Sequence, residues 1–507
     1  MSRRERISHV DTAWLRMDRP TNLMQIVGVM IFDGRLDFPR FRRTVEARLL
    51  RYRRFRQNAS IEGNRAWWVD DRNFDIDTHI KHALLPFPGG TAELQHYVAE
   101  QASTPLNPHR PLWEFNVVEM ETGDSALVAR IHHSIADGIA LIGVMHSLTD
   151  GHANAPEGIP SSPIELDNDD SNDFDKNEVT EGLGDLFWRW IFQPLSDTTL
   201  AAIRLSGNLW LKYVGLMLDP AKAAKYAQLG TGIAIEVGKL AMMPNDSTTR
   251  FKGKPGTRKC VAWSEPISLP EVKAVGKVLG CSVNDMLLAS AAGALRKYLA
   301  NKGDPVDDIE VRALVPVNLR RPGETEALGN RFGLVALELP VGIENPLARL
   351  YETRRRMEAL KGSLQAMLTL SILGAVGMAP KFVQQQILDL LANKATAVMT
   401  NVPGPQKPRW FAGSQLKQQM FWVPQSGNIG MGVSILSYDD KVQFGLMTDS
   451  SRIPDPELIV AGFSSEFEKL LWLVLMEPWE RLEDPDAVEA ALVAGSISNN
   501  VSTRNSH

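Results

Sequence analysis

Two spacings of apolar residues take turns along this chain. Residues 24–32 (MQIVGVMIF) form a continuous apolar run rich in β-branched side chains, which predicts a buried strand. Past Pro39, the residues Phe41, Val45, Leu49 and Tyr52 recur at helical spacing with arginines between them, which predicts an amphipathic helix. The pair of patterns returns: 125–131 (SALVARI) predicts a strand and 139–148 a short helix. In the second half, 282–299 predicts a helix of small and apolar residues. Strands are predicted at 312–317, 332–339 and 395–402. Runs 429–438 and 441–447 predict a hairpin around Asp439 and Asp440, and 456–475 a closing helix. Alternating strands and helices predict a mixed α/β (α+β) fold, and no short-period repeat is visible.

Between the halves the patterning breaks. Residues 151–185 hold ten acidic side chains against one base, Lys176, and few apolar ones, which predicts a solvated linker. From 186 to about 229 the chain is rich in Trp and Leu and apolar on more than one face. This favours buried connector helices over a membrane-surface helix. The expected organisation is a subdomain at 1–150, the acidic linker at 151–185, a helical connector at 186–250 and a second subdomain at 251–507. A length of 507 residues would allow more domains at roughly 150 residues each, but the two halves share one texture.

Charge and cysteine usage narrow the function classes. The net charge of −5 lacks the basic footprint of a general nucleic-acid binder. Cys260 and Cys281 make neither a disulfide framework nor a zinc motif. The N-terminal MSRRERISHVDTAW lacks the apolar core of a signal peptide, and no run reaches about 18 apolar residues. The nearest, 366–380, ends at a proline. The expected location is cytoplasmic, in solution or on a membrane surface. Nine arginines (Arg35, Arg40, Arg42, Arg43, Arg48, Arg51, Arg53, Arg54 and Arg56) crowd one stretch. They read first as a solvated helix face, then as a site for anionic lipid headgroups or for CoA phosphates.

The sharpest chemical feature is His132-His133-Ser134-Ile135-Ala136-Asp137-Gly138, where a predicted strand gives way to a helix. Ligands bind outside the carboxyl ends of strands in open α/β sheets. Consecutive strand residues face opposite ways, so the two histidines should not converge on one metal ion. General-base chemistry is the remaining reading, because imidazole is the side chain best poised to take a proton near neutral pH. Asp137 stands where it would cap the helix or fix the loop through an arginine. Gly138 would permit a tight turn or close substrate approach.

These residues resemble the HHxxxDG motif of the CoA-dependent acyltransferase superfamily. That superfamily includes chloramphenicol acetyltransferase, peptide-synthetase condensation domains and the bacterial wax ester synthase/acyl-CoA:diacylglycerol acyltransferases. Further blocks resemble the last group: Pro111-Leu112-Trp113, Asn284-Asp285, and Asn401-Val402-Pro403-Gly404-Pro405. So do Asp11-Thr12-Ala13-Trp14, Phe74 to His79, Val315 to Arg320 and Gly329-Asn330. One departure is Ile7-Ser8-His9-Val10 before Asp11, where that group opens on a Leu-Ser-Pro-like start.

The resemblance implies two chloramphenicol-acetyltransferase-like subdomains around a central tunnel, with the active histidine midway. It implies transfer of a fatty acyl group from acyl-CoA to diacylglycerol, a long-chain alcohol, or both. Acyl-CoA would be a substrate, and no resident cofactor or metal is expected. His133 would be the general base, His132 more a structural residue. Asn284 either shapes the oxyanion region or merely caps its helix. Direct transfer is expected in preference to an acyl-cysteine at Cys260 or Cys281. The alternatives are a carrier-protein-dependent condensation-type transferase and a non-catalytic lipid-surface protein.

Overall fold

The computed structural model describes residues 4–63, 65–158, 243–319, 328, 330, 332–360, 365, 369 and 393–490. Most of the acidic linker expected at 151–185 and of the connector expected at 186–250 lies outside these residues, as do most of 366–380, Arg320 and Gly329.

The first half runs β1 (Arg4–Arg6), α1 (His9–Met17), β2 (Gln25–Phe32), α2 (Phe38–Arg48), β3 (Gln57–Glu62), β4 (Arg65–Asp70), β5 (Ile80–Leu84), α3 (Thr91–Ser103), β6 (Trp113–Glu119), β7 (Ser125–His132) and α4 (Gly138–Ser147). The second half begins with β8 (Lys259–Trp263), β9 (Ile267–Ser268), α5 (Leu269–Val278), α6 (Val283–Asn301), β10 (Val311–Asn318), β11 (Phe332–Leu339) and α7 (Pro346–Leu360). It continues with β12 (Ala397–Pro403), β13 (Trp410–Phe411), β14 (Ser414–Trp422), β15 (Met431–Tyr438), β16 (Lys441–Asp449) and α8 (Glu457–Met476).

Two mixed sheets carry the fold. One has the order β11-β10-β12-β15-β16-β8, with β9 also on β16. The other has the order β13-β14-β2-β7-β6-β5, and β1, β4 and β3 form a small third sheet. The strand β2 is buried along its whole length, as its unbroken apolar run requires. Its middle residue, Gly28, lies opposite Phe421 of β14. A Cβ there would sit 2.4 Å from the Phe421 ring, so the glycine makes room for an aromatic of the other half.

This pairing crosses between the halves expected at 1–150 and 251–507. The strands β13 and β14 leave the second half and complete the first half's sheet. One apolar cluster accordingly joins Val27, Val29 and Val128 to Trp263, Met420 and Trp422. The halves share a core and do not meet as separate globules. Among the described residues no single helix is long and apolar enough to cross a membrane.

The arginine cluster is not a free basic face. Arg48 is buried and pairs with Asp150 at 2.9 Å. Arg42 binds Asp77 and Arg43 binds Glu157, each at 2.6 Å. Arg53 pairs with Asp70 and Arg54 with Glu5. Carboxylates neutralise much of the charge that an anionic surface would need.

Candidate active site

Strand β7 ends at His132, and its main chain passes directly into the HHSIADG loop. The backbone N–H of His132 donates to Leu112 and that of His133 to Met24, so neighbouring strand ends hold both residues. The two rings then part, as expected for successive strand positions. His132 turns toward Ser134, whose backbone N–H donates to Nδ1 at 3.1 Å and whose Oγ lies 2.8 Å from the same nitrogen. Nδ1 is therefore an acceptor, and the neutral ring carries its proton on Nε2. Burial pushes the His132 pKa down to about 3, helped by the neighbouring His133.

The His133 ring is packed between aromatics from both halves. Trp14 of α1 stacks on it with centroids 4.1 Å apart and planes 19° off parallel. Phe332, at the start of β11, sits 5.7 Å away at 48°. Burial lowers the His133 pKa to about 4, while the charge of Asp137, its own carbonyl and the Asn330 side chain favour the protonated form. His133 Nδ1 is buried with no hydrogen-bond partner among the described residues. A neutral imidazole poised beside a carboxylate suits a group that must accept a proton during reaction and return it.

Asp137 caps α4, its carboxylate accepting from the Ala140 backbone N–H at 3.0 Å. Gly138 has no left-handed backbone, so the tight turn expected of it is not needed. A Cβ there would meet Val423 at an ordinary 3.6 Å. Asn284 does not cap its helix. Ser282 does, in a reciprocal box with Asp285. Asn284 instead accepts from Asn401 Nδ2, which ties the Asn284-Asp285 block to the Asn401–Pro405 block. This partner belongs to the second half's sheet and not to the histidine loop.

Two blocks picked from the sequence find mainly packing roles. Trp113 is fully buried, stacked on His79, with its indole N–H on the Phe55 carbonyl. Gly404 tucks under Ser437, whose carbonyl accepts its N–H at 2.8 Å. Cys281 and Cys260 are both pushed toward the thiol by burial, Cys281 to about 12.

Four residues complete the site without having been given a role from the sequence: Asp11, Trp14, Asn330 and Phe332. Asn330 Nδ2 donates to Asp11 Oδ1 at 2.7 Å and to the His133 carbonyl at 2.8 Å. The familial look of the Asp11–Trp14 and Gly329-Asn330 blocks was the one available signal. No spacing rule brings residue 330 to residue 133.

Two cavities share Leu23 and Gln25, and His133 lines neither. The larger, of about 150 Å³, is lined by His132, Leu112, Leu15, Leu106, Ile61 and Asp18, among others. The smaller, of about 10 Å³, lies between the halves against Lys259, Gln425 and Met447. Leu112 of the Pro111–Trp113 block therefore borders the larger cavity beside His132.

Comparisons with known proteins agree with this architecture. The model of the wax ester synthase/diacylglycerol acyltransferase catalytic domain matches residues 7–287, and that of the WS/DGAT C-terminal domain matches 328–471. A probable diacylglycerol O-acyltransferase of Mycobacterium tuberculosis H37Rv is 26% identical over 476 residues, covering 91% of this chain and 97% of that protein. The wax ester synthase/diacylglycerol acyltransferase of Marinobacter aquaeolei VT8 superposes with a TM-score of 0.63 at 18% identity. That match covers 92% of this chain and 98% of the other. The first condensation domain of the calcium-dependent antibiotic synthetase gives a TM-score of 0.54 at 13% identity, over 95% and 97% of the two chains. At such identities the solved structures speak for the fold alone.

Proposed function

This chain belongs to the wax ester synthase/diacylglycerol acyltransferase family, and we propose that it transfers a fatty acyl group from acyl-CoA to diacylglycerol, a long-chain alcohol, or both. The observation that carries the reading is the geometry at His133. It is a neutral, buried imidazole at a strand's carboxyl end, stacked on Trp14 and facing the charge of Asp137.

The thioester carbonyl is already electrophilic, so the demanding step is to make an alcohol nucleophilic. His133 takes the hydroxyl proton as the oxygen attacks the thioester carbon. It then returns that proton to the departing CoA sulfur. A positioned general base contributes about 10²–10⁴-fold. Asp137 steadies the imidazolium that exists between the two transfers. Transfer is direct: the cysteine thiols are held protonated by burial, which supports a route without an acyl-cysteine. Asn284 is retained as a candidate for shaping the oxyanion region, acting from its bond with Asn401.

The substrates and products are poorly soluble lipids, so the enzyme works as a peripheral protein on the inner face of a membrane or on a lipid droplet. The exposed Trp472, Leu475, Met476 and Trp479 at the end of α8 suit such contact better than the paired arginines do.

The test is to incubate pure protein with labelled palmitoyl-CoA and either hexadecanol or diacylglycerol. Labelled wax ester or triacylglycerol is the expected product. No product with either acceptor overturns the reading. A covalently labelled protein formed from acyl-CoA alone would overturn direct transfer.

A further inference from the structure

Two elements from opposite halves meet at His133, and each brings a pair of side chains. The helix α1 brings Asp11 and Trp14, three residues apart and so on one helix face. The second half brings Asn330 and Phe332, the latter opening β11. Trp14 and Phe332 hold the imidazole ring. Asp11 and Asn330 act on the main chain, and the Asn330 side chain also favours the protonated ring. Asn330 spends both donors of its amide, one on the Asp11 carboxylate and one on the His133 carbonyl.

Asp11 and Asn330 are both buried, so neither bond competes with bulk water. The pK of Asp11 is raised by that burial and held back by the Asn330 and Ser8 bonds. The His133 N–H is already fixed by the Met24 carbonyl at 2.7 Å. With Asn330 on its carbonyl, both main-chain groups of His133 are pinned, one by each half.

Building on the acyltransferase reading, we infer that Asn330 is a positioning residue for the catalytic histidine, with Asp11 orienting its amide. The second half thereby sets the angle at which His133 presents its ring to the reacting hydroxyl. Misplacing a catalytic group by about 1 Å can cost on the order of 10²-fold in rate.

An exchange of the two side chains separates this role from simple bridging of the halves. Asn330→Asp keeps the size but loses the donor to the His133 carbonyl and sets two carboxylates together. Adding Asp11→Asn restores a bond between positions 11 and 330, now donated from position 11. It does not restore a donor to His133. At pH 8 the single Asn330→Asp variant should lose about 10- to 100-fold in kcat, with the KM for acyl-CoA within about twofold. The double variant should recover the thermal midpoint and remain slow. Asp11→Ala, which keeps the Asn330 donor, should lose less rate than Asn330→Asp. Where Asn330→Asp does not fold, Asn330→Ala, which removes the donor without adding a charge, takes its place in the comparison with Asp11→Ala.

Recovery of rate together with stability in the double variant would overturn the inference, leaving Asn330 as a structural bridge. So would an Asp11→Ala loss equal to that of Asn330→Asp, or an Asn330→Asp enzyme with unchanged kcat. In each of these cases the wild type still makes product. A wild type that makes no product overturns the acyltransferase reading itself, and this inference with it.

Discussion

His132 and His133 are neighbours in the chain with different chemistry around their rings. His132 is tied to Ser134 and borders a cavity, whereas His133 is enclosed by Trp14 and Phe332. Both are neutral at physiological pH because burial penalises the charged ring more than their surroundings favour it. For a base, the form that works is the neutral one. The acid limb of kcat/KM should therefore fall near pH 4, the lowered value for His133, and not near the ordinary 6.5. A pH profile of the purified enzyme from 4 to 8 checks this, and a limb centred at 6.5 would show that burial does not hold the His133 pKa down. The His-His-x-x-x-Asp-Gly motif was readable because it is local. The Asp11–Asn330 contact was not, since it joins residues 319 positions apart.

At the scale of elements, α4 depends on its cap. Asp137 satisfies an N–H that has no helical partner, and replacing such a residue by alanine costs about 1 kcal/mol. Asp137→Ala should lower the unfolding free energy read from denaturant titration by that amount and also slow the reaction, because the charge facing His133 is lost. Unchanged kcat with lowered stability would reduce Asp137 to a cap alone. Strand β2 depends on Gly28. Gly28→Val would drive a side chain into the Phe421 ring, an overpacking that costs roughly 1–3 kcal/mol, seen as a lower thermal midpoint. An unshifted midpoint would show that β14 can move away.

Most individual elements were legible from periodicity. The buried strand β2 and the helix α2 fall where the apolar spacing places them. So does the hairpin of β15 and β16, whose Asp439 and Asp440 both take positive φ as a two-residue turn of this kind requires. The strand β14 was not legible. Its apolar end, Met420 to Trp422, looks like any short run, and only its partner β2, some 390 residues earlier in the chain, identifies it as a strand of the first sheet. Asn284 looked like a cap because it stands at a helix start. The competing Ser282 box was two residues away and took the role.

For the molecule as a whole, the crossover of β13 and β14 makes the two halves one folding unit, and the site sits where they share a core. Exposed apolar residues gather on the end of α8 and near Phe87, and Ile61 lies at the larger cavity. Burial of histidines also sets the response of the whole fold to acid. His132, His133 and His146 all have folded pKa values of about 3 to 4, below the unfolded value of about 6.5. Between those limits the unfolded chain binds the protons and the folded one does not, so stability rises with pH through the window and is lost as pH falls. Each histidine contributes up to about 1.4 kcal/mol per pH unit there. Thermal midpoints measured from pH 7 to pH 4 should drop steeply, and a flat profile would contradict the buried neutral histidines.

The most direct measurement compares wild type with His133→Ala in the labelled palmitoyl-CoA assay, after confirming by circular dichroism that both are folded. Wild type should make triacylglycerol or wax ester, and the variant should be slower by about 10²-fold or more. Transfer by a folded His133→Ala protein at the wild-type rate would contradict the account.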